Sequence, residues 1–270
     1  HSNVGLFSYF ITIIGGIAYA HEKGYIPVVD MKHYPNTYIY GDELGRVNSW
    51  EYYFEQPCGI SLEDALSSRR YILGRDTALH TRPGQSAKTF YDQDGTLDYW
   101  RRICRQYIHF TPAVLERLEG MTAKYAGKNI LGVLVRGTDY TALKPKGHPI
   151  QPTAEQAIAK VKEVLQEKNF DAVYLATEDK RILAEFQAAF REKLILPDNN
   201  YFDYDYENAK LLHEYMKNDK YMLGLNYLVS MLFLSKCNGL ITSITSGSTG
   251  VMCLSEGFDY LYVFDLGRYP

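Results

Sequence analysis

Residues Ile130–Arg136, with the sequence ILGVLVR, begin the part of the chain that decides the fold. Four further apolar runs of strand length follow: Ala172–Thr177 (AVYLAT), Leu194–Leu196, Gly239–Ser243 (GLITS) and Leu261–Phe264 (LYVF). Segments with helical periodicity lie between them: Thr153–Lys168, Asp179–Arg191, Tyr221–Lys236 and Ser248–Glu256. Apolar strands that alternate with helices are typical of a parallel sheet covered on both faces. The sequence therefore predicts a doubly wound α/β domain in the second half of the chain.

The first half has a less regular pattern. Its predicted elements are a helix, a strand and two more helices: Phe7–Glu22, Tyr25–Asp30, about Asp98–His109 and Pro112–Tyr125. A helix without a preceding strand is unusual for an α/β domain, so we expect a first strand upstream of His1. We place the domain boundary at Gly127, which divides the chain into residues 1–127 and 128–270.

The composition is that of an ordinary globular protein. Of 270 residues, 46% are hydrophobic and 23% are charged, which excludes disordered, collagen-like and disulfide-framework chains. The formal net charge of −3 leaves no excess of Lys and Arg to displace counterions, which argues against nucleic acid as a partner. The 24 tyrosines are many for this length. Their rings suit stacking on sugars or bases, but a tyrosine-rich core explains them equally well.

Cysteine spacing and apolar run length predict where the protein resides. Cys58, Cys104, Cys237 and Cys253 are widely spaced, as in a cytoplasmic protein with reduced, mostly buried thiols. The opening residues lack the charged region and cleavage site of a signal peptide. The two longest apolar runs, Val4–Ala20 and Tyr221–Leu234, are too short or too polar for the ~20 residues that span a bilayer. We expect no transmembrane segment, and peripheral membrane association stays open.

Polar residues follow three of the predicted strands at the point where each strand ends. They are Arg136-Gly137-Thr138-Asp139, Thr177-Glu178-Asp179 and the Ser/Thr/Gly run over residues 243–250. Ligands of open parallel sheets bind outside the carboxyl ends of the strands. A Ser/Thr/Gly run that opens a helix offers N–H donors to an anion, and an arginine adds a fork suited to phosphate. The pattern indicates a phosphate-bearing ligand; an N-cap turn and an Arg136–Asp139 surface pair are the alternatives.

Two acidic motifs are further candidates. Glu51 and Glu55 lie among the aromatic residues Trp50, Tyr52, Tyr53 and Phe54. If this segment is helical, Glu51 could act as a base beside a stacked sugar, or both carboxylates could be a solvated face over an aromatic core. Asp203-Tyr204-Asp205 has the D-x-D spacing of metal-dependent sugar transferases, but it lies away from a strand end.

The histidines and cysteines do not cluster, so we expect no metal site. Glycine-rich nucleotide-binding loops of the usual kinds are absent from the sequence.

Three motifs resemble the α-1,6-fucosyltransferases, a group related to the protein O-fucosyltransferases, and point to a bacterial-type member. Residues 133–139 together with His148-Pro149-Ile150 resemble the H-x-R-R-T-D…H-P-I stretch of that family. Residues 173–179 resemble V-Y-L-A-T-D-D, and residues 233–246 resemble F-L-S…T-x-S-S. The resemblance covers Leu131–Glu256 in the same order. It implies a GT-B-like architecture of two Rossmann-like domains facing a cleft, with 1–127 on the acceptor side and 128–270 binding a nucleotide sugar.

The resemblance also implies roles for individual residues. Arg136 would hold the β-phosphate of the donor, and Asp139 would orient Arg136 or contact the sugar. The remaining donor-binding residues would be Gly137, His148, Thr177, Glu178, Asp179, Thr245, Ser246, Gly247, Ser248 and Thr249. The chain departs from the family where Leu134 replaces the motif histidine, Gly137 the second arginine and Lys144 a glutamate proposed as base. Glu51 is then the candidate catalytic carboxylate.

The function implied is an inverting, metal-independent glycosyltransferase that moves fucose from GDP-fucose to a glycan hydroxyl. The partners would be the nucleotide-sugar donor and a glycan acceptor. No cofactor is expected, because the GDP-sugar is a substrate. A transferase that uses another nucleotide sugar and a non-catalytic nucleotide- or glycan-binding module are the alternatives. A flavodoxin-like or hydrolytic α/β enzyme that binds a phosphate at the Ser/Thr loop is a more distant one.

Overall fold

The structure is a computed structural model that describes residues 4–74, 83–84, 90–91, 95–198, 201–215 and 219–270. Its sheet has five parallel strands, β1 (Ile130–Leu134), β2 (Ala172–Ala176), β3 (Leu194–Ile195), β4 (Gly239–Ser243) and β5 (Tyr260–Phe264). The helices of the described chain are α1 (Leu6–Lys23), α2 (Leu62–Ser67), α3 (Gly95–Tyr107), α4 (Pro112–Thr122), α5 (Thr138–Leu143), α6 (Ala154–Glu167), α7 (Lys180–Phe190), α8 (Lys220–Leu234) and α9 (Ser246–Leu254). The doubly wound α/β domain predicted for the second half is confirmed.

The strand order places two of the predicted polar strand ends side by side. The order is β3-β2-β1-β4-β5, so the chain winds outward from β1 and then returns to the other side of β1. The topological switch point therefore lies between β1 and β4, where the crevice of an open α/β sheet binds its ligand. Arg136 follows β1 at this point, and the Ser/Thr run follows β4.

Local signals explain why the helices of the second half begin where they do. Thr153 Oγ1 accepts a hydrogen bond from the Gln156 N–H at 3.2 Å, and Gln156 Oε1 accepts one from the Thr153 N–H at 2.9 Å. This reciprocal capping box opens α6. Asp179 Oδ1 accepts from the Arg181 N–H at 2.8 Å and caps α7. Among the described α-helices, two were not predicted: α2 in the first half and the short helix α5, which directly follows Gly137, in the second.

Each face of the sheet is covered by its own apolar cluster. On one face, alternate β1 and β2 side chains pack with Val161 and Val164 of α6 and Phe186 of α7. On the other face, α8 packs in a cluster that also takes in α1 and α3 of the first half. That cluster is continuous across Gly127, the predicted domain boundary. The division into 1–127 and 128–270 stays a prediction.

The strand predicted over Tyr25–Asp30 is wrong. This segment is extended but pairs with no strand in the described chain. Side-chain amides take the place of a neighbouring strand: Gln56 Oε1 accepts from the Val29 N–H, and Gln56 and Asn48 both donate to the Val29 carbonyl. Among the described residues of the first half, the only bridge is the isolated pair Phe54–Phe110. The five-stranded sheet thus lies wholly in residues 128–270.

The aromatic run near Glu51 is core. Trp50, Tyr53 and Phe54 are each at most 1% exposed, and Trp50 stacks on Phe54 with ring centroids 4.1 Å apart. Only Ser49–Tyr52 forms a short 3₁₀ turn, so Glu51 and Glu55 do not share a helix face. Of the two alternatives, the structure therefore favours carboxylates over an aromatic core, because the rings of Trp50, Tyr53 and Phe54 are packed against the protein.

The cysteines of the chain are free thiols, as predicted. Cys104, Cys237 and Cys253 are buried, and Cys58 is exposed. Within the described residues, no helix combines the length and the apolar character needed to cross a bilayer.

Candidate active site at the carboxyl ends of β1 and β4

The guanidinium of Arg136 lies at the switch point between two carboxylates. Its Nη2 is 3.3 Å from Asp139 Oδ1, and its Nε is 3.2 Å from Glu178 Oε1. The contact of Nε with Glu178 is an ion pair rather than a well-aligned hydrogen bond. The side chain is 22% exposed, so the charge is partly withdrawn from water. The predicted orienting role of Asp139 agrees with this contact.

The turn after Arg136 requires glycine at position 137. A Cβ placed on Gly137 would lie 2.4 Å from Asp179 Oδ2, closer than any side chain tolerates. The turn presents its backbone to Glu178, whose Oε1 accepts from the Gly137 N–H at 3.3 Å and from Thr138 Oγ1 at 3.1 Å. Thr138 itself has a φ of +51°, a strained value for a β-branched residue. The acidic end of β2 thus occupies the space beside the turn that follows β1.

The side chains of Thr177 and Asp179 accept hydrogen bonds from backbone N–H groups. They are 2% and 1% exposed. Thr177 Oγ1 accepts from the Asp179 N–H at 3.3 Å, and Asp179 Oδ2 accepts from the Thr138 N–H at 3.4 Å. Asp179 therefore connects the ends of β1 and β2, whereas Thr177 fixes the turn at the end of β2. A direct donor contact by either stays a prediction.

A tyrosine-rich segment, residues 201–215, covers this edge of the sheet. The Thr138 N–H donates to the Tyr206 hydroxyl at 2.9 Å, and that hydroxyl donates to Asp179. Arg181 stacks on the Tyr206 ring with Cζ 3.5 Å from the centroid. The Leu212 N–H donates to Asp139 Oδ2 at 3.0 Å. The D-x-D motif lies in this segment, where Asp205 accepts three hydrogen bonds from Glu207 and Asn208 and closes a turn.

The Ser/Thr run caps its own helix. Thr245 Oγ1 accepts from the Ser248 N–H at 3.0 Å, and Ser248 Oγ accepts from the Thr245 N–H at 2.9 Å. The Tyr91 hydroxyl bonds Ser248 Oγ at 2.8 Å and Thr249 Oγ1 at 3.0 Å. Three of the hydroxyls are thus engaged internally. The N–H groups of Ser246 and Gly247 open α9 and have no carbonyl partner within the helix, so they are available to donate to an anion.

Tyr227 of α8 lies between the two strand ends. Its phenol interacts with the Arg136 guanidinium. A Cβ placed on Gly247 would lie 3.0 Å from the same Tyr227 oxygen, so the phenol also contacts the first turn of α9. Arg136 and the Ser/Thr loop therefore share a neighbour, and the phosphate site between them stays a prediction.

Helix α1 packs against the same loop from the first half of the chain. Ser8 Oγ donates to Ser246 Oγ at 3.3 Å. Phe7 lies against Gly250 so closely that a Cβ on this glycine would be 2.0 Å from the ring. Phe7 also contacts the Tyr227 ring edge-on at a centroid distance of 5.7 Å. The site is thus bordered by the helix that begins the described chain.

The charges around Arg136 are unbalanced. Burial alone would lower the pKa of Arg136, but Glu178, Tyr227 and Asp139 outweigh burial and hold that pKa above its ordinary value. The guanidinium is therefore charged at any working pH. Burial raises the pKa of the Tyr227 phenol, which stays neutral. One cation faces two carboxylates, and among the described residues no group of three His, Cys, Asp or Glu side chains is placed to hold a metal ion.

Two predicted residues make no direct contact with Arg136 within the described structure. Glu51 is exposed, and its Oε1 accepts from Gln56 Nε2 at 2.7 Å and Asn48 Nδ2 at 3.2 Å, in the network that holds Val29. Its catalytic role stays a prediction without a contact to the Arg136 cluster in the described structure. His148 is exposed, and its Nδ1 is 3.2 Å from the Tyr140 hydroxyl.

Sequence reasoning missed Tyr227, Tyr206 and Ser8. The two tyrosines are among 24 in the chain, and no local pattern separates a site tyrosine from a core one. Ser8 follows Gly5 at the start of α1, where a helix N-terminus was a usable signal.

The chain shares its fold with solved structures of the α-1,6-fucosyltransferase NodZ. A NodZ structure co-crystallised with GDP matches with a TM-score of 0.56 and 15% identity over 93% of this chain and 90% of that one. Selenomethionine NodZ from Bradyrhizobium matches with a TM-score of 0.59 and 14% identity over 99% of this chain and 94% of that one. No protein-family model matches the sequence, and no curated protein sequence does. The chain therefore has the GT-B-like α/β fold of the fucosyltransferase NodZ, as its three motifs predicted.

Proposed function

We propose that the protein is a glycosyltransferase that moves fucose from GDP-fucose to a glycan hydroxyl, with inversion and without a metal ion. NodZ, whose fold it shares, has been crystallised with GDP and soaked with GDP-fucose. The observation that supports the proposal most strongly is the contact of Tyr227 with both Arg136 and the Gly247 turn. It brings a fixed cation and two unpaired helix N–H groups to the switch point of the sheet.

The chemistry follows from the charge that develops during transfer. The acceptor oxygen forms a bond to the anomeric carbon while the bond from that carbon to the phosphate oxygen breaks. The bonding electrons leave with GDP, so negative charge grows on the β-phosphate. Donors already in place stabilise this charge without reorganisation. The two ion pairs of Arg136 use two of its five N–H donors, and the Ser246 and Gly247 amides add two more.

The nucleotide is the first test. We expect GDP to raise the melting temperature more than UDP, ADP or CMP at equal concentration, because ligand binding to the folded state stabilises it by RT ln(1 + [L]/Kd). A thermal-shift panel measures this directly. A larger shift with UDP would replace the proposed donor, and no shift with any of the four would contradict a nucleotide site. Saturable GDP binding without turnover would favour the non-catalytic module.

The carboxylate of Glu178 should oppose binding of the diphosphate. Replacing it in Glu178→Gln keeps the hydrogen-bond acceptor for Gly137 and Thr138 but removes a negative charge beside Arg136. We expect GDP to bind about fivefold more tightly, in line with the ~1 kcal/mol of a partly exposed charge pair. Calorimetric titration with GDP measures the change. Glu63→Gln, which removes an exposed carboxylate paired with Lys32, is the control. Weaker GDP binding by Glu178→Gln would show that the carboxylate serves mainly to position Arg136.

A further inference from the structure

The proposed transfer needs a group that accepts the acceptor proton, and the carboxylates beside Arg136 are already committed. Glu178 holds the Arg136 Nε and the 137–138 turn, and Asp139 holds Nη2 and the Leu212 N–H. Asp179 is buried and caps α7. Each of these carboxylates would have to give up an ion pair or a cap to take a proton.

Tyr140 and His148 form a pair beside the same arginine. The Tyr140 ring lies beside the Arg136 guanidinium, with Cζ 5.7 Å from its centroid. The Tyr140 hydroxyl is 3.2 Å from His148 Nδ1, and the two rings meet edge-on at 5.4 Å. His148 is exposed, and within the described chain its Nε2 has no hydrogen-bond partner. The pair thus links the charged guanidinium to an imidazole nitrogen that faces solvent.

The loop that bears His148 is held in place by the end of the chain. The Gly147 N–H donates to the Tyr269 carbonyl, the Tyr269 N–H to the His148 carbonyl and the Ile150 N–H to the Gly267 carbonyl, each at 2.9 Å. Pro149 and Arg268 form an isolated antiparallel bridge. Such anchoring fixes the imidazole without using its ring nitrogens, which is what a preorganised catalytic group needs.

We infer that His148 is the general base of the proposed transfer and that Tyr140 positions it. This inference rests on the proposed function. With a proton on Nδ1, the imidazole donates to the Tyr140 oxygen, which leaves the Nε2 lone pair to accept. The proton of the acceptor hydroxyl passes to Nε2 as the oxygen bonds to the anomeric carbon and GDP leaves. The imidazolium then returns the proton to solvent.

The surroundings of the pair set the pH behaviour of the step. The charged and titratable groups that face it are Arg136 and Asp139 beside α5 and Arg268 and Tyr269 of the C-terminal segment. Burial raises the pKa of Tyr140, so its hydroxyl stays protonated at neutral pH. A general base accepts the proton only in its unprotonated form, so the reaction should slow as the pH falls.

The test uses water as the acceptor, since the glycan is unidentified. GDP release from GDP-fucose is measured as a function of pH for the intact chain and for His148→Gln, His148→Ala and Tyr140→Phe. General-base catalysis contributes ~10²–10⁴-fold, so we expect His148→Gln to release GDP at least ~100-fold more slowly and to lose the acid limb of the pH profile. The thermal shift with GDP should stay unchanged, and added imidazole should restore part of the rate of His148→Ala. Tyr140→Phe should retain an intermediate rate.

His33→Gln is the matched control. His33 is also exposed and is also bonded through Nδ1, to Asp30 at 2.9 Å in the first half of the chain. It should leave both rate and pH profile unchanged. A wild-type rate and acid limb in His148→Gln would overturn the base assignment and leave the proposed function intact. Loss of GDP binding in His148→Gln would also overturn it, since the histidine would then be a donor ligand. No GDP release by the unaltered chain would overturn both proposals.

Discussion

The Arg136→Ala variant should release GDP from GDP-fucose at least ~100-fold more slowly than the unaltered chain, because a preorganised donor to a developing anion is worth ~10²–10³ in rate. Arg136 is the charged group at the switch point, and Tyr227 both interacts with it and lies against the Gly247 turn. The comparison of initial rates at saturating donor isolates the chemical step from binding.

Folding of the variant must be separated from catalysis. Removing Arg136 leaves Glu178 and Asp139 without their cation, so the melting temperature of the variant is measured alongside its rate. Arg117→Ala is the control, since Arg117 pairs with the exposed Asp198 at 2.7 Å. A folded Arg136→Ala variant with near-normal GDP release and GDP affinity would remove Arg136 from the mechanism.

The Gly250→Ala variant should be markedly less stable, although alanine is the better helix former. The new methyl group would lie 2.0 Å from the Phe7 ring, and both residues are buried where α1 packs on α9. Overpacking of this kind costs ~1–3 kcal/mol. For a chain of this size, each kcal/mol shifts the melting temperature by about 2–4 °C, so thermal unfolding resolves the loss.

Gly16→Ala provides the matched substitution. Gly16 lies within α1, and nothing is within 4 Å of the position its Cβ would take. The same change should therefore stabilise the protein by ~0.5–1 kcal/mol, the intrinsic helix preference of alanine over glycine. Equal melting temperatures for the two variants would mean that Phe7 does not pack on Gly250 as described. In that case α1 would not border the site.

The sequence by itself determined the strands and the longer helices of the second half. Alternation of apolar strands with amphipathic helices placed every strand within two residues of its observed ends. Buried side chains recur every two residues in a strand and about every 3.6 residues in a helix, so a short stretch of sequence is enough to recognise either element. The same holds for the caps of α6 and α7, whose partners are two or three residues apart. The carboxyl ends of β1 and β4 could be predicted as the candidate site because the strand ends of a parallel sheet lie on one edge.

The tertiary structure alone decided which side chains meet at that edge. Tyr227 contacts both Arg136 and the Gly247 turn, and Tyr206 bonds Thr138 and Asp179 across 68 and 27 positions. The segment Tyr25–Asp30 was expected to pair with a strand, but the side-chain amides of Asn48 and Gln56 bond its backbone instead. No local sequence pattern predicts these bonds. Polar contacts of this kind depend on how elements that are distant in the chain pack together. A hydrogen bond between such elements produces no repeating pattern in the sequence. For this reason the edge of the sheet could be predicted, whereas the contact of Arg136 with Tyr227 of α8 could not.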